Sequence, residues 1–238
     1  MEKIVIIQCA GSKTQSFWRY GNQRIIFVAN SKHYRERFPA SGPTPFEPDD
    51  QVPGSSVTWR QIFLDYHQHK KKPDILRDAD ELPEAWKLYS DPTYQILFEK
   101  FKSNFYILSA GWGLVRADFR LPPYDITFSS ANNTPAHAKI SSIRLLSKLK
   151  PFGYNPLHSV VGKESMIYFF GGAKYRALLY YYTDCIPGTK VIYYRSNEKP
   201  RERSMSEGYR FTNYTPQNPQ KRTNWQYECA RRFTNGEL

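Results

Sequence analysis

This sequence predicts a three-layer α/β/α fold around a mostly parallel central sheet, and three observations carry that expectation. Short apolar runs rich in β-branched residues recur along the chain, and stretches of helical periodicity separate them. Several runs stop at small residues: Ala10-Gly11-Ser12, Ser109-Ala-Gly111 and Gly171-Gly172. Finally, 238 residues suffice for one large domain with a real core, or for a domain and a small appendage.

Lys3-Ile-Val-Ile-Ile-Gln-Cys9 reads as a buried first strand, and Arg24-Ile-Ile-Phe-Val-Ala29 as a second that runs into a helix over 30–38. Residues 39–54 hold five prolines and two glycines and read as loop. Trp59, Ile62, Phe63 and Tyr66 fall at helical spacing within a helix over 57–69. Asp91 and Pro92 open another to Phe101, the first as N-cap and the second at the first helical position. The third strand covers 105–110. Thr134-Pro135 then predicts a helix to Leu149 with Ile140, Ile143, Leu146 and Leu149 on its core face. A strand over 166–170, a helix over 175–182 and a last strand over 190–194 complete a domain spanning 1–196. Strands separated by helices place the sheet strands parallel, with helices on both faces.

Residues 197–238 read as a basic extension that packs on the domain or contacts DNA. Its first part, to Arg210, is charged and poor in aliphatics, and a helix over 224–233 closes it. Asn213-Tyr-Thr-Pro-Gln-Asn-Pro-Gln-Lys-Arg-Thr-Asn-Trp225 combines amides with cations, the groups that contact phosphates and base edges. A solvated tail has the same composition.

A formal charge of +12, with 18 Tyr and 5 Trp, suits a polyanion that also offers rings for stacking, and double-stranded DNA fits both. Charge that merely keeps a monomer soluble is the plainer account. Cys9, Cys185 and Cys229 are far apart and odd in number, so neither a disulfide framework nor a zinc ribbon is expected. The N-terminal apolar run is too short for a signal peptide, and no segment reaches the ~20 apolar residues of a membrane helix. The expectation is a cytoplasmic monomer. His67-Gln-His69 does not share a helix face, and Gly171-Gly-Ala-Lys174 lacks P-loop spacing, so no metal or other cofactor is expected.

The most informative stretch is Phe105-Tyr-Ile-Leu-Ser-Ala-Gly-Trp-Gly-Leu-Val-Arg116, followed by Leu121-Pro-Pro-Tyr-Asp125. A strand ending at small residues admits another molecule close to its backbone, and α/β ligands bind beyond strand carboxyl ends. Three such ends, at Gln8 to Lys13, at Asn30 and at Ser109 to Asp125, are expected to converge on one crevice. Together with Gln-Cys-Ala-Gly-Ser-Lys-Thr at 8–14 and the segment from Ala29 to Tyr34, these motifs resemble the bacterial YaaA-like proteins. The match is patchy and covers the first two-thirds of the chain. The resemblance implies a uracil-DNA-glycosylase-like α/β fold and work on DNA, in damage under peroxide stress or in phage defence. It extends to modified bases, among them glucosylated hydroxymethylcytosine. That branch has no acid at the position of Asp125, so the role of this residue rests on chemistry alone.

Cleavage of a base–sugar bond passes through an oxocarbenium-like sugar and needs an anion beside it. Asp125 is the first candidate and Asp118 the second, with Asn30 beside them as a catalytic candidate. Gln8, Ser12, Asn30 and Ser109 could hydrogen-bond the departing base, and Trp112, Tyr124 or Tyr34 could hold an everted nucleotide by stacking. Lys13, Arg19, Lys32, Arg116, Lys221 and Arg222 are candidates for the DNA backbone. Plainer roles stand beside each: a turn cap for Asp125, an N-cap for Asn30, packed rings for the tyrosines. The leading expectation is a metal-independent DNA glycosylase that leaves an abasic site. A non-catalytic DNA-binding stress protein and a nuclease are its rivals.

Overall fold

The computed structural model describes residues 2–38, 42–69, 71–129, 131–198, 200, 208–217 and 224–238. The chain begins with β1 (Lys3–Gln8), β2 (Trp18–Tyr20), β3 (Gln23–Val28), α1 (Ser31–Arg37) and β4 (Thr44–Phe46). Then come α2 (Trp59–His69), α3 (Thr93–Phe101), β5 (Phe105–Ser109), β6 (Gly113–Arg116) and β7 (Tyr124–Asp125). The last part holds α4 (Ser142–Leu149), β8 (Met166–Phe170), α5 (Arg176–Thr183), β9 (Thr189–Tyr194), β10 (Tyr209–Asn213) and α6 (Trp225–Thr234).

Six strands form the main sheet in the order β10-β9-β8-β1-β5-β6. All neighbours are parallel except β6, which turns back antiparallel on β5. Residues Ile4 to Ile7 of β1 are fully enclosed, as a continuous apolar run in a parallel sheet covered on both faces requires. Helices α3 and α6 pack on each other and over β1, β5 and β8, while α4 packs on α5. This arrangement is compatible with three α/β/α layers. Among the described residues, no helix is long and apolar enough to cross a membrane.

Three expectations change. The second strand, β3, lies outside the main sheet and joins a smaller one, antiparallel to β2 and parallel to β4 and β7. Its apolar run is buried by α1 on one side and by rings of Trp59, Phe63 and Trp112 on the other, so periodicity alone could not assign its sheet. The helix expected from residue 134 starts only at Ser142. Ala136–Ala138 forms a single 3-10 turn, Thr127 exchanges backbone bonds with Ala138 and Ile140 on either side of Lys139, and Ser141 then caps α4 by accepting from the Arg144 amide. The later start rotates the helix, leaving Ile143 79% exposed while Leu145 and Leu149 face the core. Beyond residue 197 the chain supplies an unexpected strand, β10, on the edge of the main sheet, while the expected closing helix is present as α6 and buries Trp225, Tyr227, Cys229 and Phe233.

Candidate functional site

Strands β5 and β8 lie on either side of β1, so the chain's direction across the sheet reverses beside β1. In open α/β sheets, the crevice outside the carboxyl ends at such a reversal takes ligands. Two hollows open at this end, and the loop after β1 borders both. Gly11 lines one; Ser16 and Phe17 line the other.

The first hollow, about 400 Å³, is built by the smaller sheet. Parallel pairing of β3 with β7 sets Tyr124 opposite Phe27 and Asp125 opposite Val28. Successive strand residues face opposite ways, so Tyr124 enters the core and Asp125 turns outward. His137 Nε2 donates to Asp125 Oδ2 at 3.0 Å, since a carboxylate only accepts. The His137 ring is buried edge-on against Tyr34, 5.0 Å between centroids, and its carbonyl accepts from the Ala29 and Asn30 amides. Asp125 therefore rests on an imidazole that is itself tied to the end of β3. The same hollow is lined by Arg24 and Arg37, whose guanidinium groups stand 5.2 and 5.4 Å from the ring centres of Phe17 and Phe38. Burial, helped by the nearby Asp125 charge and opposed by Arg24, raises the Tyr34 hydroxyl above its ordinary pKa.

The second hollow, about 460 Å³, lies at the ends of β1 and β8 against the start of α6. Gln8 Oε1 accepts from the Gly172 amide at 2.7 Å, and Tyr94 donates to the Gln8 carbonyl. Cys9 Sγ lies 3.2 Å from the Tyr175 hydroxyl and accepts from the Ala110 amide.

The expected residues divide between these places and the core. Asp125 and Tyr34 share the first hollow, and Gln8 lies in the second. Asn30 accepts from the His33 amide as the N-cap of α1, the plainer of its two roles. Ser109 is buried: its hydroxyl donates to Tyr124 and accepts from the Gly111 and Trp112 amides, so it shapes a turn. Tyr124 is enclosed too, its hydroxyl 2.7 Å from that of Tyr89. Trp112 packs edge-on against Phe27 and Phe63. Stacking on a base by Trp112 or Tyr124 is thereby corrected, since core groups cover both rings. Lys13 is corrected as a phosphate contact: its ammonium donates to the Ala10 carbonyl and lies 4.1 Å over the Tyr124 ring. Burial lowers its pKa, with Cys9 and Asp125 opposing.

Asp118 and Arg116 are corrected most plainly. They form a two-pronged pair at 2.5 and 2.8 Å, and Arg116 stands opposite Tyr106 near the start of β5. Because β6 runs antiparallel, both lie at the sheet edge away from Asp125. Ser12, Arg19 and Lys32 are exposed, whereas Lys221 and Arg222 fall outside the described residues. Sequence reasoning missed His137, Arg24, Arg37 and Phe17. Pro135-Ala-His-Ala-Lys139 carries no motif, and the backbone ties that place His137 join segments far apart in sequence. Among the described residues, no three potential metal ligands gather. Compared with family models, curated proteins and solved structures, the chain matches none.

Proposed function

We propose that this chain is a DNA N-glycosylase working without a cofactor, with Asp125 at the scissile bond. One observation carries the reading: a carboxylate fixed by His137 opens into a hollow that cations and aromatic rings surround. DNA supplies the phosphates for Arg24 and Arg37, and an everted nucleotide places its rings against Phe17, Tyr34 or Phe38.

As the bond from C1′ to the base nitrogen breaks, its electron pair leaves with the base and positive charge develops on the sugar. Asp125 stabilises that cation and orients a water molecule, whose oxygen bonds to C1′ while the proton it loses is matched by one taken up on the departing base nitrogen. An abasic site and a free base result. His137 touches neither sugar nor base; it positions the carboxylate. Phage DNA with modified cytosine is the proposed substrate class.

The purified chain, incubated with such DNA in EDTA, should yield strand breaks only after an abasic-site lyase is added. Breaks without lyase, abolished by EDTA, would mean a nuclease, and binding without breaks a holding module.

A further inference from the structure

Glu198 has no part in that chemistry, yet it is placed as ligand-binding carboxylates are. Its side chain is 29% exposed and reaches the hollow, while its enclosed Oε2 makes no hydrogen bond among the described residues. Arg176 Nη2 forms a long ion pair with it at 3.9 Å and donates its hydrogen bond to the Glu198 carbonyl at 2.6 Å. The side chain lines the hollow at the reversal beside β1. A methyl group built on Gly172 would lie 3.6 Å from Gln8 Oε1 and 3.9 Å from Glu198 Oε2, so both side chains reach the same glycine at the rim of the hollow. The bond from the Gly172 amide fixes the Gln8 amide and leaves its NH₂ as the donor. Asn224, at the start of α6, makes no capping bond with its side chain. Phe128, Tyr175 and Trp225 supply flat apolar walls.

We propose that this hollow binds a nucleobase bearing an exocyclic amine, with Glu198 accepting from the amine and Gln8 donating to a neighbouring ring or carbonyl acceptor. A carboxylate selects donors, an amide beside it selects an adjacent acceptor, and rings select a planar partner. Cytosine and guanine present that donor–acceptor edge. Uracil and hypoxanthine lack the amine. Binding here requires no chemistry at Asp125.

Calorimetric titration of the full chain with cytidine, uridine, guanosine and inosine, without DNA, tests this. Cytidine and guanosine should bind at least about tenfold more tightly than uridine and inosine, the discrimination expected of one hydrogen bond to a charged group. Glu198→Gln should remove that preference, and Gln8→Ala should weaken all four ligands, with circular dichroism matching the parent chain. Equal affinity within each pair, no binding by any nucleoside, or a folded Glu198→Gln chain that keeps the preference would overturn the proposal. None of these outcomes depends on cleavage, so this site and the glycosylase reading can fail separately.

Discussion

Tyr124 and Asp125 are chain neighbours with opposite surroundings. The phenol is locked among Tyr89 and Ser109, while the carboxylate faces the hollow with 43% of its side chain exposed. Strand alternation enforces the division, and His137 then fixes the rotamer that alternation leaves open. Replacing His137 with Ala should lower the cleavage rate about 100-fold, the scale expected when a catalytic group shifts by roughly 1 Å. DNA affinity should barely change. His137→Gln, whose amide can still donate to Asp125, should recover most of the rate, an effect that packing alone would not give. Asp125 was legible because an acid follows Pro-Pro-Tyr after a strand and a polar loop. His137 was not, because its place depends on the bridge between Thr127 and Lys139, a contact with no trace in local pattern.

At the scale of elements, the turn between β5 and β6 is a support for the site. Ser109 gathers two amides, and the Gly111 carbonyl accepts from Arg60 Nη1 at 2.9 Å. Gly113 has φ of +81°, and a side chain there would strike the Tyr182 hydroxyl, which is why glycine is needed. The small residues thus serve close packing, although from sequence they read equally as room for a ligand. Arg60 is almost wholly buried and is held by Asp49 through a two-pronged pair at 2.6 and 3.1 Å. Burial pushes the Asp49 carboxyl up, but hydrogen bonds from Arg60 and Lys148 outweigh it and leave the pKa lowered. Asp49→Asn would strand a buried guanidinium and should cost about 3 kcal/mol in urea unfolding. Arg60→Met, which removes the charge as well, should cost less. The phase of α4 shows the other limit of sequence reading. Helical spacing around Ile143 is real, but the start of the helix depends on tertiary backbone bonds.

Over the whole molecule, the strand order places the reversal beside β1. Strands β1, β5, β8 and β9 of the main sheet were readable from their apolar runs, whereas β6 read as part of the loop after β5. Five-residue β10 was not readable, because its residues alternate weakly and follow a charged stretch. The core is also unusually phenolic, and this gives a pH signature. Burial raises Tyr106, Tyr193 and Tyr227 from the usual 10.0 to about 12, and it raises Tyr89, Tyr94, Tyr124 and Tyr175 well above 10.0. Between those values the folded chain keeps protons that the unfolded chain has lost. The associated stability is fully present below pH 10 and is lost as pH rises toward the folded values. Urea midpoints should therefore fall between about pH 9 and about pH 11, with phenolate absorbance appearing together with unfolding. Smooth titration of all tyrosines near 10 in a folded chain would show the hydroxyls to be solvated.

The most direct measurement is the rate at which abasic sites accumulate in phage DNA carrying modified cytosine, for the parent chain and for Asp125→Asn at equal bound fractions. The expected result is accumulation with the parent chain and a rate about 1000-fold lower with the variant, the scale of losing one transition-state electrostatic group. Equal rates, or no abasic sites with the parent chain, would contradict a glycosylase centred on Asp125.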